Sequence, residues 1–271
     1  MLLVSFLGVF IGLVMGLTGA GGGILSVPAL VVGLGFSMTS AAPVALMAVG
    51  ISALVGTLDG LSKKIVRYKA ALLMAILGAL FSHLGITLAH IIPDLFLMTL
   101  FSAIMLLVAW RMFRQARQIK NPVQPGASEL KPCVLNPTTG KLHWTRRCAA
   151  TLAGIGALTG LFAGMLGVGG GFIIVPAFKR YTDIDMHSIV ATSLAVIALV
   201  SMSTVAGIVL HGTRISGMGW NFVGAAVAGM ILGRLASPHI PSRLLQIGFS
   251  GIATLVAVIM LVKTYWPAAF S

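Results

Sequence analysis

The segment Gly16-Leu17-Thr18-Gly19-Ala20-Gly21-Gly22-Gly23-Ile24-Leu25-Ser26-Val27-Pro28 returns later in the chain as Gly164-Met165-Leu166-Gly167-Val168-Gly169-Gly170-Gly171-Phe172-Ile173-Ile174-Val175-Pro176. Both copies sit inside long apolar runs. A glycine costs about 1 kcal/mol against alanine in a helix interior, so a Gly-Gly-Gly triplet interrupts a helix instead of extending it. Small-xxx-small spacings such as Gly12/Gly16 have a simpler reading, the close approach of two helices in lipid. That reading does not account for a triplet followed five residues on by proline. Irregular backbone at membrane depth is tolerated only where protein surrounds it or it lines a cavity. Each copy therefore predicts a helix break facing a protected interior.

The membrane enters through composition. Apolar residues make up 58% of the 271-residue chain and charged residues 8%, against roughly a quarter charged in soluble domains. This predicts an all-α polytopic membrane protein with no separate soluble domain. Its formal charge of +13 sits in short loops between apolar runs, where orientation signals belong, so nucleic acid is not an expected partner. The first apolar run has no basic residues ahead of it and recurs in mid-chain, so it reads as a retained segment, not a cleaved leader. Cys133 and Cys148 lie in or beside the most basic loop. That loop is expected in the cytoplasm, where disulfides are rare, and the reading is two free thiols.

Leu2 to about Met38 is too long for one spanning helix of roughly 20 residues and slightly short for two. Two half-length helices meeting at Gly19–Gly23 fit it best, as a re-entrant hairpin with its tip near the membrane midplane. Spans are predicted over Ala41–Leu58, Ala70–Ile91 and Leu95–Phe113, with the basic loop Lys63–Lys69 after the first. The stretch from Arg111 to Arg147 is polar, basic and rich in proline, and its Leu135–Leu142 segment can form a small turn or hairpin through Gly140. The plan then repeats: a second interrupted segment over Cys148–Phe178, followed by spans His187–Leu210, Met218–Ser237 and Leu244–Tyr265. A constant offset of 148 aligns the halves without a gap and superimposes both glycine runs, Val27-Pro28-Ala29 on Val175-Pro176-Ala177, and Ile92-Pro93 on Ile240-Pro241. Shared leucines arise by chance between apolar segments; a matched triplet and matched prolines indicate duplication.

If the glycine segment crossed once, the repeats would be parallel; as a hairpin it makes them inverted. Inversion puts Lys179, Arg180, Arg234 and Arg243 on the cytoplasmic side with Lys63–Lys69, leaving Arg214 and Lys263 outside, and so is favoured. The expected architecture is two inverted repeats, each a Gly-tipped re-entrant hairpin plus three transmembrane helices. Residues 1–113 form the first repeat, 114–147 a basic cytoplasmic linker and 148–271 the second, with both termini outside. A substrate site is then expected at the repeat interface, beside the discontinuous helices.

The five acidic residues, Asp59, Asp94, Glu129, Asp183 and Asp185, all fall in loops or at helix ends. Cation pumps and proton relays commonly place an acid at mid-membrane, so a cation substrate is disfavoured. Helix N-termini favour anions, and those following Gly23 and Gly171 would point inward, where glycine lets a small oxyanion reach the N–H groups. A P-loop reading fails because Ile24 and Phe172 stand where Lys-Ser/Thr is needed; a dinucleotide fingerprint fails for want of its third glycine. Ser188, Thr192, Ser203, Gly207 and His211 fall near one helical face, which fits either interhelical hydrogen bonding or substrate contact. The matching place in the first half reads Ala42-Pro43-Val44-Ala45-Leu46, so any such site is asymmetric. His83 reads as a proton carrier or as a hydrogen-bond donor to a neighbouring helix, and Arg234 as a residue that snorkels to the interface. No catalytic triad or metal-ligand spacing is present, so neither an enzyme nor a cofactor is expected.

The paired Gly-x-Gly-Gly-Gly segments followed by Val-Pro-Ala, and Ala191-Thr192-Ser193-Leu194 after the second, resemble the sulfite exporter TauE/SafE family of membrane transporters. The resemblance covers essentially the whole chain. It implies a multi-pass inner-membrane transporter of small sulfur-containing anions such as sulfite or organosulfonates. It carries the substrate-binding role onto Gly19, Gly21, Gly22 and Gly23, onto Gly167, Gly169, Gly170 and Gly171, and onto Thr192 and Ser193. The first half departs from the Ala-Thr-Ser-Leu pattern at Pro43-Val44-Ala45. The alternative of another class is a non-transporting membrane scaffold that docks partners through the basic linker.

Overall fold

The computed structural model describes residues 2–18, 22–118, 133, 144–210, 216–236 and 242–266. These are almost wholly helical: α1 (Leu2–Thr18), a short irregular helix α2 (Gly22–Gly33), α3 (Met38–Ser62), α4 (Tyr68–Ile91), α5 (Asp94–Gln118), α6 (Arg146–Leu166), α7 (Gly171–Tyr181), α8 (Met186–Leu210), α9 (Gly217–Ala236) and α10 (Ser242–Tyr265). Seven of them, α3 to α6 and α8 to α10, are long and apolar enough to cross a membrane. Exposed apolar side chains such as Leu72, Ile76, Leu80 and Leu84 recur every fourth residue on α4, a stripe suited to lipid. The Leu135–Leu142 turn, Glu129 and His211 lie outside the described residues.

Local chemistry sets the helix ends. The Ser40 N–H donates to Ser37 Oγ at the start of α3 (3.3 Å). The Ser188 N–H donates to Asp185 Oδ2 at the start of α8 (3.0 Å), and the Cys148 N–H donates to Thr145 Oγ1 at the start of α6 (3.1 Å). Each side chain satisfies an N–H that the helix itself leaves without a partner. Ser37 and Asp185 occupy the same place under the 148 offset.

The packing follows that offset as well. α1 lies against α9 and α6 against α4; α3 contacts α9 while α8 contacts α4; and the equivalent helices α3 and α8, like α5 and α10, lie against each other. Adding or subtracting 148 exchanges the members of these pairs. In lipid no hydrophobic force drives helices together, so close backbone approach through small residues supplies the packing energy. On α1, Gly8, Gly12 and Gly16 face the backbone near Phe222, Ala226 and Met230 of α9; on α6, Gly156, Gly160 and Gly164 face Met74, Gly78 and Ser82 of α4. A Cβ on Gly12 would fall on the carbonyl of Ala226, and one on Gly160 on the carbonyl of Gly78. In both pairs residue numbers rise together, so the helices run parallel. By contrast α3 and α8 run antiparallel, with Gly50 beside Ser201 and Gly60 beside Ala191.

Three sequence expectations need correction. The hairpin arms are unequal: 17 residues then 12 in the first copy, 21 then 11 in the second. The first arm is long because its glycine stripe runs for three turns along a neighbour, and α6 begins at the exposed Arg146 and Arg147. The cysteines are not free thiols: Cys133 and Cys148 form a disulfide, with Cα atoms 4.9 Å apart. The Cys133 N–H donates to Tyr181 O (3.2 Å) at the end of α7, which brings it, fully buried, to the first turn of α6. Arg234 does not snorkel freely. Its guanidinium is held by Asp59 of α3, Nη2 at 2.6 Å and Nε at 2.9 Å from Oδ2, and Lys63 Nζ shares that oxygen at 3.0 Å.

Candidate functional site

The two glycine segments meet halfway along the central helices. A Cβ on Gly169 would lie 2.8 Å from Val49 Cγ1 and 3.1 Å from Ile197 Cγ2, and Val49 and Ile197 are the midpoints of α3 and α8, related by the 148 offset. A Cβ on Gly23 would lie 3.1 Å from Val168 O and 3.2 Å from the same Val49. The tips therefore touch each other across the repeat interface. Gly22, Gly23 and Gly167 to Gly171 are all buried. Gly19 and Gly21 lie outside the described residues.

The second tip is the better defined. α6 ends at Gly167 in the left-handed region, φ +75°, and Gly169 and Gly170 follow at +70° and +68°. A side chain would be strained at these values, and at Gly170 it would also strike the Thr159 methyl group. Gly170 precedes α7 with no side-chain cap on that helix. The N–H groups of Gly171 and Phe172 open the helix and have no acceptor within it, while Ile173 and Ile174 close back onto Gly170 O at 3.0 and 3.4 Å. The opening turn of α7 thus presents N–H groups and the positive end of a three-turn helix dipole. The first tip is less regular: Gly22–Leu25 is a 3₁₀ turn and Ala29–Gly33 a π turn, with Pro28 between.

Two hydroxyls at the second tip escape a sequence reading. Ser201 of α8 and Thr159 of α6 are fully buried, and neither side-chain oxygen has a hydrogen-bond partner. Ser201 Oγ lies 3.4 Å from the position a Cβ on Gly169 would take, and Thr159 packs on Gly170. A helical Ser or Thr ordinarily bonds a carbonyl one turn back, as Thr204 does to Val200 O at 2.7 Å. Only three-dimensional placement sets Ser201 and Thr159 apart. Ser26 and Ser52 also carry buried, unpartnered hydroxyls.

The other sequence candidates lie elsewhere. Thr192 Oγ1 accepts the Arg67 N–H (3.0 Å) at the start of α4, and Ser193 Oγ donates to Val190 O (2.8 Å). Both belong to the end of the bundle where Gly60 meets Ala191 and Gly56 meets Leu194 and Arg234. Ser201 is nine residues further along α8, about 13 Å at 1.5 Å per residue. The structure therefore groups the described glycines with one another but not with Thr192 and Ser193. His83 Nδ1 bonds Ala79 O of its own helix (2.8 Å), not a neighbouring helix, and its ring lies against Gly207 of α8. Asp59 is ten residues from Val49 along α3 and is occupied by Arg234 and Lys63. Among the described residues no group of three or more His, Cys, Asp or Glu is placed to hold a metal.

The profile of the sulfite exporter TauE/SafE family matches residues 4–260. The chain belongs to that family. The match takes in both glycine segments, six of the seven spans and most of the seventh. Two curated relatives, both described as a probable membrane transporter protein, come from Xylella fastidiosa. The one from strain 9a5c is 26% identical over 268 residues, covering 96% of this chain and 94% of its own. The one from strain Temecula1 is 25% identical with the same coverage. No solved structure matches this TauE/SafE chain. It is thus a multi-pass membrane transporter, not an enzyme.

Proposed function

We propose that this transporter moves a small sulfur oxyanion, of the sulfite or organosulfonate type, through the meeting point of its two glycine tips. The observation that carries this reading is the opening turn of α7: N–H groups without an intrahelical acceptor, halfway along α3 and α8, preceded by Gly169 and Gly170 in the left-handed region. The Asp59 carboxylate of α3 is already paired at the bundle end, which leaves the N–H groups as the charge that faces a ligand. Gly22 and Gly23, with Gly19 and Gly21 before them, complete the site from the other repeat. Gly167 turns the chain out of α6. Thr192 and Ser193 stand on the path from the basic end, beside the Asp59–Arg234 pair.

Transport proceeds by alternating access between inverted repeats. The antiparallel contact of α3 with α8 and the parallel contacts of α1 with α9 and α6 with α4 support inversion. Lys63–Lys69 and the start of α6 then share one face, which its basic charge assigns to the cytoplasm; the Cys133–Cys148 disulfide at that face is the feature that argues for the other side. Lys263, whose Nζ donates to Val31 O (3.1 Å), stands at the opposite face.

The test is flux. Purified protein in liposomes is expected to exchange labelled sulfite or a short alkylsulfonate and to ignore monovalent cations. Flux of a cation, with none of any sulfur oxyanion, would overturn the reading.

A further inference from the structure

We infer that Ser201 and Thr159 are the side-chain donors to the anion at the second tip. This rests on the transport reading above and narrows it. The two halves share a backbone plan but not these hydroxyls: the residue 148 before Ser201 is Ala53, and the residue 148 before Thr159 is Ile11, while the unpartnered Ser26 and Ser52 of the first half match Ile174 and Val200 of the second. The helix geometry differs as well. α7 is a regular helix of 11 residues, so its peptide dipoles add at Gly171. The first tip continues through 3₁₀ and π turns, whose hydrogen bonds are less well aligned.

An unpartnered buried hydroxyl is costly, and two carried by residues that pack on one glycine turn are accounted for by a ligand that accepts from both. Ser201 Oγ approaches Gly169 from α8, and Thr159 of α6 packs its methyl group on Gly170, its own hydroxyl buried beside that contact. The N–H groups of Gly171 and Phe172 follow directly, so donors from α6, α7 and α8 flank one turn. Sulfite and a sulfonate head group present the same ligand there, a sulfur bearing three oxygens that share negative charge. The first tip contributes contact: Gly23 lies against Val168, and Val49 is shared by both tips.

The experiment measures sulfite uptake in proteoliposomes for Ser201→Ala, Ser201→Thr, Thr159→Val, Thr159→Ser and Ala53→Ser, with melting temperature in detergent as the check on folding. Hydrogen bonds to charged groups exceed neutral ones in worth. Ser201→Ala and Thr159→Val are each expected to raise the KM for sulfite about tenfold or more with unchanged melting. Ser201→Thr and Thr159→Ser, which keep the hydroxyl, should stay within about threefold of the parent. Ala53→Ser should neither raise nor lower KM. Unchanged KM in both hydroxyl-free variants, with flux intact, would overturn the inference and leave the transport reading standing. A change in sodium dependence in place of the sulfite KM would also overturn it, by making the hydroxyls cation ligands. A parent protein that moves no sulfur oxyanion would overturn the transport reading, and this inference with it.

Discussion

At Gly160 a Cβ would fall on the carbonyl of Gly78, whereas at Gly154, six residues earlier on the same helix, it would meet nothing within 4 Å. Gly160→Leu must push α6 and α4 apart, and overpacking of this kind costs about 1–3 kcal/mol. The variant is expected to melt lower and to elute as aggregate in size-exclusion chromatography, while Gly154→Leu behaves like the parent. Charge at the bundle end is a gentler matter. Asp59 holds both Arg234 and Lys63, but with its side chain about a third exposed the Arg234 pair contributes about 1 kcal/mol or less. A double-mutant cycle of Asp59→Asn and Arg234→Met, read by melting temperature, should return a coupling of that size that shrinks in high salt. The same residue scale shows what a sequence conceals. The glycines of the tips announce themselves because their φ values or their neighbours admit nothing else. Ser201 and Thr159 read like any hydroxyl in a transmembrane helix, because their distinction is a missing partner and a missing partner has no sequence signature.

Among the elements, α8 depends on its cap. Burial pushes the Asp185 carboxyl up, but hydrogen bonds from the Ser188 backbone and side chain outweigh it, and the folded pKa lies below the ordinary 3.8. A carboxylate with a depressed folded pKa contributes stability that is fully present above the unfolded value. That contribution is lost as pH falls from about 3.8 through the lower folded value. Asp185→Ala should cost about 0.5–2 kcal/mol at neutral pH, and its melting temperature should fall less steeply than the parent's on acidification below pH 4. The disulfide is tested more directly. Cys133 and Cys148 are expected to resist alkylation in the native protein and to react after reduction and denaturation, as mass spectrometry would record. Element positions were legible from hydropathy: the span expected over His187–Leu210 is observed as Met186–Leu210. Arm lengths and the cysteine pair were not, since one depends on how far a glycine stripe follows its neighbour. The other depends on where Tyr181 brings the linker, and a separation of 15 residues carries no such signal.

For the whole molecule, the 148 offset read from the sequence carries the bounds of α3 onto those of α8, Met38–Ser62 onto Met186–Leu210. What the offset could not convey is which helix lies against which. That follows from the glycine stripes, whose backbone contacts pass from one half of the chain to the other at both interfaces. Because α1 is lodged against α9 and α6 against α4, the halves are interlocked like clasped hands, and neither can slide as a self-contained block. Severing the chain between residues 118 and 144 should therefore give two fragments that are each degraded when synthesised alone. Made together in one cell, they should recover one another as a stable pair.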